Sequence, residues 1–187
     1  MRLRAFPSAF CRGATDPGIT NAAVNAYTGL TFDNQGRLLV VDAGLNAVLR
    51  EKAPGSAFTT GFDTLISGSP LNSPRDVVVD ATGNFAYVTN GGSLFPGTGD
   101  HRILRLTLAG NTATAATYAG QQQVKGYTGD YGAPTSALLN LQASGIVITV
   151  QGGSGVLTVV PTLGITLGLN GEVIFADTAN NAIRRIR

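Results

Sequence analysis

The sequence predicts an all-β protein, and three observations carry that prediction. Short apolar runs rich in β-forming residues recur, as in Leu38-Leu39-Val40-Val41 and Val173-Ile174-Phe175. Tight-turn chemistry precedes each of them, Asn34-Gln35-Gly36 before the first and Leu169-Asn170-Gly171 before the second, because Asn and Gly accept the positive φ of a hairpin. Twenty-five glycines with only 13% charged residues suit a turn-rich β structure better than helix or disorder. A chain of 187 residues can bury a sizeable core as one domain.

The clearest unit is 164–187. Ile165 and Leu167 alternate with Thr166 and Gly168, the period-two pattern of a strand. Val173-Ile174-Phe175 reads as a buried second strand. Asp177-Thr178-Ala179-Asn180-Asn181 follows as a polar turn, whose Asp and Asn side chains can bond nearby backbone groups. Ile183 and Ile186 then sit among arginines in a third strand; a helix over 179–187 would start on Asn-Asn with nothing to complete a cap. The same order of residues occupies 27–50 and, with a swollen polar turn at Gly91 to Asp100, 73–108. Six residues separate Gly36 from Asp42 and Gly171 from Asp177, and four separate Asp42 from Asn46 and Asp177 from Asn181. Gly36 and Gly83 are 47 residues apart, and Gly83 and Gly171 are 88 apart, close to two such periods. A several-stranded repeat of about 40–50 residues marks the blades of a β-propeller. The apolar pattern of 144–160 is a degenerate hairpin, either a truncated unit or an insertion. The expected fold is therefore an all-β propeller of four-stranded antiparallel blades, an incomplete arc of three to four blades in a single segment, 1–187.

Phe175-Ala176-Asp177-Thr178-Ala179-Asn180-Asn181-Ala182-Ile183-Arg184 resembles the core of the NHL repeat. The segment from Gly126-Tyr127-Thr128-Gly129-Asp130-Tyr131-Gly132 to Ala137 is similar to the glycine-rich link between bacterial-type NHL repeats. The resemblance covers about three quarters of the chain. It implies a propeller of four-stranded blades. It carries over no activity, since that family spans protein, RNA and small-molecule binders as well as a metal-dependent lyase.

Several classes of function are narrowed by composition. A net charge of +2 does not argue for nucleic acid, and neighbouring arginines such as Arg184 and Arg185 point to opposite faces of a strand, so no nucleic-acid partner is expected. The longest apolar region, Val156 to Leu169, is broken by Pro161 and glycines and is too short for a bilayer, so no membrane partner is expected. Cys11 stands alone, which excludes an intramolecular disulfide, and the one histidine, His101, excludes a zinc site of several histidines. No catalytic residue, metal or cofactor is expected. Asp42, Asp177, Asn46 and Asn181 recur at equivalent places, which a structural turn demands. No signal peptide shows behind Arg2 and Arg4, and the compartment stays open. The unit count predicts a piece of a longer propeller whose first and last blades do not pair, with self-association through open blade faces.

In a four-stranded meander successive connections alternate between the two ends of the sheet. The turns at Gly36, Gly83 and Gly171 are short and share one end; the long segments Arg12–Tyr27, Glu51–Asn72, Gly91–Asp100 and Gln121–Asn140 share the other. Binding residues concentrate on loops held by a rigid scaffold. The expected function is a non-catalytic binding module for a protein, peptide or glycan, with Phe95, Asp100, His101, Tyr127, Asp130 and Tyr131 as contact residues. The alternative is a calcium-dependent hydrolase or lyase acting in a central channel. The expected core holds Leu30, Phe32, Leu39, Val41, Val77, Val79, Val88, Ile165, Leu167, Ile174 and Ile183, with Asn84, Asn170 and Arg37 outside.

Overall fold

A computed structural model describes residues 26–55, 61–91, 99–142 and 163–187. Those residues form eleven strands in three antiparallel meanders. The first blade is β1 (Tyr27–Phe32), β2 (Leu38–Asp42), β3 (Ala47–Glu51) and β4 (Phe62–Ser67). The second is β5 (Pro74–Val79), β6 (Phe85–Asn90), β7 (Arg102–Ala109) and β8 (Thr112–Gly120). The third is β9 (Ile165–Leu167), β10 (Val173–Asp177) and β11 (Ala182–Ile186). Among the described residues the only helical pieces are 3-10 turns at Pro134–Ser136 and Thr178–Asn180. The all-β prediction holds, and the three repeat units become three stacked sheets. Two strands lie where the sequence reads as connection: β4 falls inside Glu51–Asn72, and β8 follows the second unit. Arg2–Phe6 and the 144–160 hairpin lie outside the described residues.

Each first turn closes the same way. The N–H of Asp33 donates to Arg37 O, that of Asp80 to Phe85 O and that of Gly168 to Glu172 O, while Gly36, Gly83 and Gly171 return an N–H to Asp33, Asp80 and Gly168. All three glycines have positive φ, a conformation that costs glycine nothing. These bonds fix the correspondence between blades, so Leu30, Val77 and Ile165 hold one position of the repeat and Phe32, Val79 and Leu167 another.

The sheets stack face to face. Leu39, Val41, Val48 and Leu65 of the first blade meet Val77, Ala86, Val88, Leu104 and Leu106 of the second. The opposite face of the second, with Ile103 and Ala119, meets Ile165, Val173, Phe175 and Ile186 of the third, joined by Leu139 and Leu141 from the connection. Hence Leu39, Val41, Val77, Val88 and Ile165 are buried as expected, and Val79, Leu167 and Ile174 are half-buried. Three expected core residues are outside: Leu30 is 65% exposed, Phe32 66% and Ile183 82%. Leu30 pairs with Val40, and Val40 with Leu49, on the face of the first blade turned away from the second. Their repeat counterparts Val77 and Ile165 are buried because a preceding sheet covers them. Ile183, opposite Ala176, lies on the outer face of the third blade. Arg37 is half-buried rather than exposed, because its guanidinium lies 2.8 Å from Asp33 Oδ2.

Asp33 anchors the first turn. Its Oδ1 accepts the N–H groups of Gln35 and Arg37, each at 2.9 Å. Burial pushes its carboxyl up, but the backbone and side-chain bonds of Arg37, with Gln35, outweigh that and hold it below the ordinary carboxylate value.

Three outcomes follow from this packing. Leu104→Ala should cost about 2–5 kcal/mol in denaturant unfolding, since it opens a cavity between two sheets. Phe32→Ser should stay within about 0.5 kcal/mol of the parent, because Phe32 is 66% exposed among the described residues; a loss as large as that of Leu104→Ala would mean the face is covered. For Asp33 the folded carboxyl titrates below the unfolded one, so its contribution is complete above about pH 4 and is lost as pH falls through the folded value. The stability advantage of the parent over Asp33→Asn should therefore shrink on acidification below about pH 4, as read from melts across that range.

Candidate functional site

The polar turns between second and third strands share one backbone device. Asn46, His101 and Asn181 each stand directly before a third strand, at Ala47, Arg102 and Ala182, and each has a left-handed φ, of 50°, 58° and 52°. Asn and His are the residues other than glycine that tolerate this region best. Around it, carboxylates collect backbone donors. Asp42 Oδ1 accepts Gly44 N–H and Leu45 N–H, and Asp177 Oδ1 accepts Asn140 N–H at 2.7 Å. Asn46 Oδ1 accepts Ser73 N–H at 2.6 Å, tying its turn to the connection that follows. The recurring Asp and Asn residues thus build turns and fasten them to neighbouring loops.

In the second blade the turn is a buried charge network. Arg102 grips Asp100 through Nε at 2.5 Å and a terminal nitrogen at 2.6 Å, and donates to Thr117 Oγ1. Asn90 Nδ2 donates to Asp100 Oδ2 at 2.6 Å, while Asn90 Oδ1 accepts Asn72 N–H. Charges can be buried this deeply only when paired and hydrogen-bonded. His101 is 2% exposed, and a Cβ on Gly91, Gly99 or Gly120 would strike it. Burial, with the charge of Lys125, depresses its pKa against the pull of Asp100 and Asp177, so the imidazole is neutral at pH 7. Its Nδ1 has no hydrogen-bond partner among the described residues. Asp100 and His101, expected as contact residues, are therefore interior supports. Arg102 is likewise interior.

The connection from Gly120 to Asn140 forms the surface feature. Asp177 Oδ2 accepts Asn180 Nδ2 and Arg184, and Arg184 also donates to Leu138 O, Thr128 O and Asp130 Oδ1, the last at 2.7 Å. Asn180 Nδ2 donates to Gly126 O at 2.7 Å. The Arg184 guanidinium lies 5.8 Å from the centre of the Tyr127 ring, a cation–π distance. The connection is thus bolted to β11, and between them runs a groove of about 500 Å³. Tyr127, Asp130 and Tyr131 line it. Tyr127 and Asp130 keep exposed surface while bracing the loop through Arg184. Tyr131 is fully exposed, with a left-handed φ of 67°. Phe95 lies outside the described residues.

Asp76 has no sequence signal and emerges only in space. Its Oδ2 accepts Ile165 N–H at 3.0 Å, its Oδ1 accepts Val77 N–H, and a Cβ on Gly29 would lie 2.6 Å from its Cα. It therefore touches the first strands of all three blades. Burial pushes its carboxyl up, against the two N–H bonds. Among the described residues no group of three or more His, Cys, Asp and Glu side chains gathers as a metal site would require.

Neither a protein-family model nor a curated protein matches the sequence. The structure is similar to that of an auxiliary nutrient binding protein from Bacteroides thetaiotaomicron, at 17% identity and a TM-score of 0.54, over 84% of this chain and 33% of that one. A protein from the same organism named provisionally as a phosphatase is similar at 17% identity and a TM-score of 0.52, again over 84% of this chain and 33% of that one. Virginiamycin B lyase from Staphylococcus aureus follows at 14% identity and a TM-score of 0.49, over 87% of this chain and 38% of that one. This chain thus spans between 33% and 38% of the length of these three proteins. The likeness to the first two, at 17% identity, is one of fold, and with the stacked meanders of three and four strands it makes this chain an arc of β-propeller architecture.

Proposed function

We propose that the chain is a non-catalytic binding module, an NHL-type propeller segment that recognises a protein, peptide or glycan on its loop-rich side. The observation that carries this reading is the groove between β11 and the 121–140 connection. Its aromatic rim is exposed, yet the loop beneath is held by four hydrogen bonds, from Arg184 to Leu138, Thr128 and Asp130 and from Asn180 to Gly126. A rigid scaffold presenting exposed aromatic rings is what a recognition surface needs. Tyr131 in particular combines full exposure with a backbone conformation that bulky residues avoid, and such strain gathers at ligand clamps. Self-association is a second contact mode that the exposed Leu30 and Phe32 of the first blade support. The rival reading, a calcium-dependent hydrolase or lyase, draws its support from the half-buried carboxyl of Asp76 among the first strands.

The test is a panel of immobilised peptides and glycans probed with the purified chain, its Tyr131→Ala variant and its Tyr127→Ala variant. Tyr131→Ala should leave the melting temperature unchanged and weaken binding by about tenfold or more, as for an interface anchor. Tyr127→Ala should lower both, because it also removes the partner of Arg184. Loss of stability in Tyr131→Ala with binding intact would assign the ring to bracing and remove the recognition reading.

A further inference from the structure

We propose that His101 is a pH-operated catch: neutral, it seats the connection from Gly120 to Asn140 on the turn of the second blade, and protonated in mild acid it lets the near end of that connection go. The proposal rests on the recognition reading above and supplies its regulation, because the connection carries Tyr127 and Tyr131.

His101 lies where its turn, the connection and the third blade meet. The residue is 2% exposed, and a Cβ on Gly99 would stand 2.8 Å from Cε1 and 2.9 Å from Nε2 of its ring. A Cβ on Gly91 would stand 2.9 Å from both His101 N and Leu141 Cβ, so the chain leaving the connection flanks the same cage. The start of the connection crosses it too. Gly120 is set against His101 O, and Gln123 N–H donates to Asp100 O at 3.1 Å. Gln123 makes that bond with a left-handed φ of 60°, a conformation kept only where the surroundings hold it. His101 Nδ1 has no hydrogen-bond partner among the described residues. A neutral ring accommodates one unpaired nitrogen. An imidazolium carries a donor on both nitrogens and a charge, and a buried charge stays only where partners hold it.

The carboxylates that face the ring are already taken. In its own turn Asp100 is gripped by Arg102 and Asn90. From the third blade Asp177 faces it, held by Asn140, Asn180 and Arg184. From the connection Lys125 opposes a second positive charge. Burial first, then Lys125, holds the imidazole below the ordinary histidine value against the pull of Asp100 and Asp177. The released ring therefore takes a proton at a higher pH than the seated one. Above about pH 7 both forms are neutral and the catch holds; as pH falls through about 6.5, the released form alone is protonated and seating weakens. The near end of the connection yields first. Gln123 seats it beside the ring, whereas Arg184 and Asn180 hold the stretch from Gly126 to Leu138.

As the chain's only histidine, His101 gives a single imidazole signal in NMR. The test follows that signal and the hydrogen-exchange protection factor of the Gln123 amide between about pH 7.5 and about pH 5.5. Protection of Gln123 should fall by about tenfold over that range, while the amides of β2 and β3 in the first blade keep theirs. His101→Asn places here the residue that Asn46 and Asn181 supply in the other blades, so it keeps the left-handed φ and removes the titration. It should hold Gln123 protection level. An equal fall in His101→Asn, or a fall shared by the first blade, would overturn the catch. So would an imidazole that titrates at its ordinary value with Gln123 unmoved. A panel peptide or glycan that depends on Tyr131, added at about ten times its Kd, should raise Gln123 protection at the acid end by about tenfold; no rise would uncouple the catch from the rim and overturn the regulation. If Gln123 follows pH but no panel ligand depends on Tyr131, the recognition reading fails and the catch stands. If such a ligand binds while Gln123 ignores pH, the catch fails and the recognition reading stands.

Discussion

The structure depends on the apolar face that each sheet lays on the next. A three- or four-stranded meander has one hydrophobic face too many to stand alone in water, and here the second blade satisfies both neighbours. Val77, Val88 and Leu104 point back to the first blade, and Ile103 and Ala119 point forward to the third. The junction of the second and third blades is also pinned by polar bonds: Thr89 Oγ1 donates to Leu163 O, and Asp76 Oδ2 accepts Ile165 N–H. Apolar contact supplies the non-directional part of the stacking and these bonds supply its register. The site inherits its position from this arrangement, because β11 is held in place by the packing of Ile186 and Phe175 against the second blade.

The polar end of the molecule obeys a second constraint, the left-handed residue before each third strand. Once Asn46, His101 and Asn181 take that conformation, the chain reverses tightly, and the carboxylates beside them must find donors. Asp42 finds them in its own turn, Asp100 in Asn90 and Arg102, and Asp177 in the connection between blades. Asp177 is the fullest case, gathering Asn140, Asn180 and Arg184 at one carboxylate, and through Arg184 the loop that carries Tyr127 and Asp130. The surface offered for recognition is therefore an outgrowth of the turn chemistry that the repeat already requires.

Much of this was legible from residues alone. The spacing of Gly36 to Asp42 and Asp42 to Asn46, repeated at Gly171, Asp177 and Asn181, locates turns and strands because turn residues act locally. What depends on a neighbour was not legible. Leu30 and Val77 are the same kind of residue at the same place in the repeat, and only the presence of a preceding sheet separates an exposed side chain from a buried one. β4 and β8 were hidden for a related reason: an outermost strand is half solvated, and Thr112-Ala113-Thr114-Ala115 has no apolar run to announce it. Asp100 and His101 read as contact residues because they sit at the end of a long loop, whereas the glycines around them make room for an interior imidazole. The sign that would have placed His101 was its position just before a third strand, where Asn46 and Asn181 stand.

Because Leu30 and Phe32, Val77 and Val79, and Ile165 and Leu167 are interchangeable by position, the rear face of any blade fits the front face of any other in kind. The second blade meets each neighbour through apolar residues of the same kind. An architecture of this type can grow by duplication of a whole unit, with the seam falling in the connections and the interior chemistry left intact. A lineage built on it can change the number of its blades without redesigning a core, and can vary the loop set, and so the repertoire of what is recognised, as an independent inheritance.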